Sequence, residues 1–270
     1  MTPPRTLMDA CVAVLETGDP KEKTKAAGAA LELLKNLNST ASERGIFPPD
    51  RPARPQKPLL KPPAGVPRRR LGNAEGRAAL LHAVAHIEFN AVDLAFDMAA
   101  RFHGNIQEAG LASSAFVADW IRVGADEARH FNMVTKRLQH YGVAYGDLPA
   151  HDGLWEAAEK TSRSVLARLV VAPMILEARG LDVTPGMIEK LKSVGDHESA
   201  AVLSVIYEDE IGHVALGRTW FGAICEAANL DPAATFHTTR EKYFAGPLKP
   251  PFNHEARGAA GLPREFYDAT

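Results

Sequence analysis

This 270-residue sequence has few cysteines and little net charge. The two cysteines, Cys11 and Cys225, are too few for a disulfide scaffold and do not form the C-x-x-C spacing of redox or zinc sites. Thirty-one Lys and Arg residues stand against 33 Asp and Glu residues, which leaves a formal net charge of −2. A nearly neutral chain has no bulk attraction to nucleic acid or anionic lipid. We therefore expect no nucleic-acid partner.

Long apolar runs are absent as well. The longest uncharged apolar run, Leu169 to Leu176, is far shorter than the roughly 20 residues that cross a bilayer. Near the N-terminus, Asp9 and Glu16 lie on either side of a brief apolar stretch, which does not resemble a secretory signal. A hydrophobic share of 46% with 24% charged residues is typical of a globular protein. We expect a soluble, cytoplasmic protein with no membrane contact.

The pattern of apolar residues is helical, and no stretch shows the two-residue alternation of a strand. Eight of the chain's 19 prolines lie between Ile46 and Arg70, where they exclude helix. The run Arg68 to Arg70 within this segment is expected to be a solvated loop. The sequence thus predicts an all-α chain in four parts: an N-terminal helical hairpin (1–44), a proline-rich extended arm (45–72), a four-helix bundle (73–230), and a C-terminal helix with an irregular tail that packs on the bundle (231–270).

Start and stop signals place the helices of the predicted bundle. Gly104 and Gly180 are the expected ends of the first and third helices. Thr184 and Pro185 predict the start of a short connecting helix, and Asp231 with Pro232 predicts another. Pro173 predicts a kink in the third helix, because proline removes a backbone hydrogen bond. The four long helices are expected to span residues 73–103, 113–141, 152–179 and 196–229.

Each long helix carries one glutamate among apolar residues that share its face. These glutamates are Glu88, Glu127, Glu177 and Glu210. Burying an unpaired carboxylate costs several kcal/mol, so four converging carboxylates require positive charge between them. Two divalent cations carry that charge. His130 and His213 each follow a glutamate by three residues, one helical turn, so both side chains of an E-x-x-H pair can reach one metal.

The two E-x-x-H matches share a further feature that makes coincidence improbable. One such match is expected by chance in a chain of this composition, but both matches here read D-E-x-x-H. Asp126 precedes Glu127, and Asp209 precedes Glu210. A lone glutamate on the preceding long helix accompanies each match. The sequence therefore predicts a two-metal site with six ligands: Glu88, Glu127, His130, Glu177, Glu210 and His213.

These motifs resemble those of the ferritin-like di-iron carboxylate superfamily. The resemblance covers roughly residues 74–230 and implies a ferritin-like four-helix bundle that holds two irons. It implies that Glu127 and Glu210 are candidates to bridge the irons and that Glu88 and Glu177 are terminal ligands. It also implies that Asp126 orients His213 and that Asp209 orients His130, in a shell behind the ligands. Over nearly its whole length, and most closely in the tail 246–269, the chain also resembles a functionally uncharacterised bacterial family with this core.

The predicted ligands favour oxygen chemistry. Carboxylate and imidazole ligands suit iron, with manganese as the alternative. We expect an O2-activating di-iron oxidoreductase of the hydroxylase or oxygenase type, acting on an unknown small molecule or modified nucleoside with an unknown electron donor. No catalytic residue beyond the metal site is predicted. An iron-oxidising storage protein and a manganese catalase-like protein remain open alternatives. The chain is also a candidate to form a homodimer.

Overall fold

The computed structural model describes residue 4 and residues 6–36, 47–66 and 70–268. Within these ranges the chain is helical and contains no strand, which confirms the all-α prediction. The chain divides into two compact units. Unit 1 comprises Met1–Gly104 with Ala112–Trp155, and unit 2 comprises Asn105–Leu111 with Glu156–Thr270. The end of the predicted N-terminal hairpin (37–44), as well as Arg68 and Arg69, lie outside the described residues.

Unit 1 is built from two short helices and two long ones. A capping box between Thr6 and Asp9 starts the first helix. Helices α3 and α4 are joined by only four residues, so they run antiparallel. Their close contact depends on Gly124, because a Cβ there would lie 2.5 Å from the ring of Phe96. The four helices are α1 (Leu7–Glu16), α2 (Pro20–Asn36), α3 (Ala74–Glu108) and α4 (Ser113–Gln139).

The described part of the proline-rich segment, residues 47–66, lies along unit 1 as an extended arm. Its backbone is tied to the helices at Ala53, whose N–H donates to the carbonyl of Leu15 at 2.7 Å. Arg101 of α3 donates to the carbonyl of Pro49 at 2.8 Å. Farther along, Leu60 and Ala150 form an isolated parallel bridge. Specific hydrogen bonds therefore hold the arm, and its described residues contain one short helical turn, the 3₁₀ helix Pro63–Gly65, in a segment where the prolines predict no helix.

Unit 2 contains one long helix and several shorter ones. A π-helical segment, Ala172–Glu177, interrupts the chain at Pro173, where the sequence predicts a kink. Asp196 caps the long helix by accepting a hydrogen bond from the N–H of Ser199. The helices are α5 (Gly153–Lys160, whose first residues belong to unit 1), α6 (Val165–Val171), α7 (Ala178–Ser193), α8 (His197–Ala227), α9 (Pro232–Tyr243) and α10 (His254–Ala259).

Three predicted helix boundaries are wrong, namely the ends at Gly104 and Gly180 and the start at Thr184, and the sequence does not predict one break within the third helix. Helix α3 continues through Gly104 to Glu108 and ends before Gly110, which has φ +74°. The predicted third helix is broken after Lys160, because Ser164 caps a new helix by accepting from the N–H of Ala167. It then continues through Gly180 to Ser193, so no separate helix begins at Thr184 and Pro185. A helical glycine costs only about 1 kcal/mol, which packing readily offsets.

Pro185 lies inside α7, and the carbonyl that it cannot bond, one turn earlier, has another hydrogen-bond partner. Proline lacks the N–H that would bond the carbonyl of Leu181. The side-chain amide of Asn253, in the C-terminal tail, donates to that carbonyl at 3.2 Å. The tail thereby replaces the hydrogen bond that Pro185 removes, which explains why the helix does not end there.

Helix α3 is also the one described helix that is long and apolar enough to cross a membrane by length and composition. However, 94% of its most apolar window is buried inside the protein. This burial is typical of the core helix of a soluble protein, and it agrees with the expectation that the chain does not span a bilayer.

Candidate metal centre

In unit 1, the predicted ligands Glu88, Glu127 and His130 lie together in the core. Glu88 is 3% exposed, and the other two are fully buried. Their ligand atoms all lie within 4.8 Å of one another. His130 Nδ1 is 3.3 Å from Glu88 Oε2 and 3.3 Å from Glu127 Oε2. Helix α4 brings Glu127 and His130 onto one face through their three-residue spacing, and α3 presents Glu88 to that face.

The electrostatics of this cluster are dominated by the two carboxylates. Burial by itself lowers the pKa of His130, but the hydrogen bonds and charges of Glu127 and Glu88 outweigh it and raise the pKa to about 11. The negative charges of the two buried carboxylates therefore strongly favour a positive charge at or near Nδ1 of His130. This atom and the two facing carboxylate oxygens form a donor set of the kind that binds a divalent metal.

In unit 2, the matching residues lie on the π-helical segment and on α8. Glu210 Oε2 is 3.8 Å from His213 Nδ1, as expected for a pair one turn apart. The His213 side chain is 6% exposed and that of Glu210 is 13% exposed. Glu177, half-buried, is the last residue of the π-helical segment. The six-ligand set therefore remains a prediction, with each unit supplying a glutamate and an E-x-x-H pair.

The π-helical segment packs closely against α8. Proline at position 173 cannot donate the usual α-helical hydrogen bond, and the wider i→i+5 turn accommodates its ring. On α8, a Cβ at Gly217 would lie 2.5 Å from both Cβ and Cγ of Pro173. Glycine at 217 therefore fixes how near the segment that ends in Glu177 approaches the helix that carries Glu210.

Neither motif aspartate is fully buried. Asp126 is about half-exposed, and its Oδ1 lies 3.5 Å from Nη2 of Arg129. Asp209 is half-buried on α8. The bonds predicted between Asp126 and His213 and between Asp209 and His130 remain predictions.

His82 and His86 of α3 are bound to the segment after α4. The Nε2–H of His86 donates to the carbonyl of His151 at 3.2 Å, so Nδ1 accepts from the Tyr145 hydroxyl at 2.9 Å. His82 Nε2 accepts from the N–H of Gly146 at 3.0 Å. Burial lowers the pKa of His86 to about 4, with the nearby charge of Arg54 acting in the same direction. Each ring thus accepts one hydrogen bond on an unprotonated nitrogen, so both side chains are neutral structural groups.

Unit 1 contains a buried ion cluster that the sequence does not predict. The fully buried Lys23 of α2 donates to the fully buried Asp93 of α3. Arg54 of the arm lies 3.1 Å from the other oxygen of Asp93 and donates to the side chain of Asn90 at 2.7 Å. Burial raises the pKa of Asp93 and lowers that of Lys23, because both ions are removed from water. Asp93 on an apolar stripe was the available signal, but nothing in the sequence pointed to its partners.

In unit 2, the C-terminal tail is held by a buried ion pair. Arg257 donates to both oxygens of Asp182, at 2.8 and 2.7 Å. The Arg257 guanidinium also stacks on the ring of Tyr267, 4.4 Å from its centroid. Asn253 donates to the Tyr207 hydroxyl at 3.0 Å, one turn before Glu210. These contacts attach residues 252–267 to α7 and α8.

Comparisons with known proteins bear on the whole chain. A family model described as "Protein of unknown function (DUF455)" matches residues 16–268. An "Uncharacterized protein" of Haemophilus influenzae is 40% identical over 258 residues, which is 94% of this chain and 90% of that protein. The expected resemblance to an uncharacterised bacterial family is thus confirmed. No solved structure matches the chain.

Proposed function

We propose that this chain, which belongs to the DUF455 family of proteins of unknown function, binds two iron ions and carries out an O2-dependent oxidation of a small organic molecule. The observation that supports the proposal most is the convergence of Glu88, Glu127 and His130 in the core of unit 1. A histidine flanked by two buried carboxylates has little structural purpose, because an apolar core of the same volume would be at least as stable.

The chemistry of the donor set fits iron. Two carboxylates and one imidazole combine oxygen and nitrogen ligands, a mixture that suits iron and manganese better than the soft metals that prefer sulfur. A divalent cation also neutralises both carboxylates, which lowers the cost of burying them. We propose that Glu177, Glu210 and His213 provide the second half of the site, because they repeat the same residue types at the same spacing.

We further propose that helices α3, α4 and α8, together with the helical stretch of residues 165–193, form a ferritin-like four-helix bundle. This proposal rests on the order of the motifs, with one glutamate and then one E-x-x-H pair, repeated once along the chain. The sequence suggests that the arm, the segment 181–196 and the tail are additions. However, most of 181–196 lies in the helix α7 that we place in the bundle, so only the arm and the tail are additions that an iron-storage helix bundle does not need. We assign to the arm and the tail the shaping of a pocket for a small molecule or a modified nucleoside.

Two ferrous ions, if bound, would supply two electrons and the open coordination positions for the reduction of O2; the organic substrate would supply the other two electrons, and an electron donor would return the irons to the ferrous state. The residues of the chain then have three tasks. Glu88, Glu127 and His130 hold a metal from rigid helices. Their burial excludes water from the reaction. The Pro173 segment, which is not confined to α-helical hydrogen bonding, gives Glu177 room to adjust its position.

Metal analysis and oxygen uptake test the proposal. The purified protein is analysed for iron and manganese, loaded with ferrous iron without oxygen, and exposed to O2 while absorption and oxygen consumption are followed. Two irons per chain and stoichiometric O2 consumption support the proposal. Fewer than one metal per chain, growth of a ferric mineral, or rapid dismutation of hydrogen peroxide by a manganese form each contradict it.

Variants connect the result to the predicted ligands. Glu127→Gln and Glu210→Gln should each lower the iron content by at least one ion per chain, because an amide replaces a charged ligand. Glu208→Gln is the matched control, since Glu208 is an exposed glutamate of α8 outside the motif. Equal metal content in all three variants would show that Glu127 and Glu210 are not metal ligands.

A further inference from the structure

We propose that a cleft between α2 and α4 of unit 1 binds a small organic anion. Two cavities, of about 400 and 480 Å³, lie beside this helix pair. Asn132 and Lys136 line both of them. The two cavities therefore adjoin at these residues, and we refer to them together as the cleft. Its size lies in the range of sites for small molecules. The proposal goes beyond the metal site and does not rest on it.

Positive charge predominates in the cleft. Lys21, Arg129 and Lys136 line it, and Asp19 is the one acidic lining residue. The Asp19 carboxylate is engaged at the start of α2, where it accepts from the N–H of Glu22 at 2.9 Å. Within the part of the chain that the structure describes, neither Lys21 nor Lys136 forms an ion pair. The two ammonium groups are therefore available to a ligand of opposite charge.

Part of the cleft lining is aromatic. Phe131 and Tyr145 both line it, and their rings meet edge to face with centroids 5.1 Å apart. Thr135, Asn132 and Gln139 add hydroxyl and amide groups to the lining. An apolar surface beside paired ammonium groups matches a ligand with an apolar ring and a terminal carboxylate or phosphate ester.

Arg129 gives this cleft a connection to the core. Arg129 lines the cleft, and its Nη2 lies 3.4 Å from Nε2 of His130. The same arginine lies 3.5 Å from Asp126. An anion that attracts Arg129 therefore acts on a side chain in contact with His130.

Titration calorimetry tests the cleft with defined probes. Sodium benzoate and phenyl phosphate represent the two anionic groups, and benzyl alcohol is the neutral control. The full chain is used as purified and again after treatment with a chelator, so that failure of metal binding does not affect the result. We expect at least one of the two anions to bind, at least tenfold more tightly than benzyl alcohol, with affinity falling as salt rises.

Charge reversal in the cleft locates the binding. Lys136→Glu and Lys21→Glu should each weaken the bound anion at least tenfold, and both positions are exposed, so the fold should survive. Lys190→Glu, on an exposed position of α7, makes the same charge change on a helix that does not line the cleft and should alter affinity less than twofold. The proposal is overturned by absence of binding, by equal binding of benzyl alcohol, or by equal losses in all three variants.

Discussion

Replacing Gly217 with alanine tests how the π-helical segment is held against α8. The new Cβ would lie 2.5 Å from Cβ and Cγ of Pro173, whereas ordinary contacts begin near 3.4 Å. The overlap of about 1 Å falls on a rigid ring and not on the end of a flexible side chain. Overpacking of this kind costs about 1–3 kcal/mol. Alanine also favours the helix by about 0.5–1 kcal/mol over glycine, which hides part of the loss.

Gly212→Ala, five residues earlier on the same helix, removes this ambiguity. A Cβ at position 212 meets nothing within 4 Å, so the variant keeps the gain in helix propensity without the overlap. The difference in free energy of unfolding between the two variants should therefore be about 1–3 kcal/mol, with Gly217→Ala the less stable.

Equilibrium unfolding in urea, followed by circular dichroism at 222 nm, measures this difference. The two compact units can unfold in separate transitions, so the variants are compared within the same transition. Equal midpoints for Gly217→Ala and Gly212→Ala would refute the claim that glycine is required beside Pro173. A further loss of bound iron in Gly217→Ala alone would connect this contact to the placement of Glu177.

Two other predictions concern buried charges in unit 1. Lys23→Met should lower the free energy of unfolding by about 3 kcal/mol, at the low end of the range for a broken buried pair, because Arg54 still lies 3.1 Å from Asp93. Lys35→Met, which breaks the exposed pair with Glu32, is the control and should cost less than about 1 kcal/mol; similar losses would contradict the reasoning. Acid should also destabilise the fold through His82, whose pKa burial lowers below 6.5, since the unfolded chain then binds the proton more tightly. As the pH falls below about 6.5, stability should decline by at most about 1.4 kcal/mol per pH unit from this group, and urea titrations of His82→Gln should show a shallower decline.

The sequence predicts the helical class and the faces of the long helices well, because apolar periodicity and caps are local signals. Asp196 and the Asp231–Pro232 pair start helices as their types suggest. The same periodicity places Glu88, Glu127 and His130 on buried faces, and the structure brings these three together.

The features that the sequence does not predict have a common physical cause, because contacts with residues distant in sequence determine them. Gly104 and Gly180 lie inside helices because the burial of neighbouring side chains outweighs the cost of glycine. Pro185 lies inside α7 because Asn253, 68 residues away in sequence, bonds the carbonyl that it leaves. The partners of Asp93 come from α2 and from the arm, and no local pattern marks them.

The contacts of the arm determine how this protein can be divided for expression. Composition places a boundary near residue 73, just before α3, and a fragment that starts there would lack both Lys23 and Arg54. Asp93, which is fully buried, would then have neither of its cations, and Phe89 would lose the two positive groups that lie over its ring. An N-terminal truncation at this apparent boundary should therefore give insoluble material, and any useful shortened version must retain the segments 6–36 and 47–66.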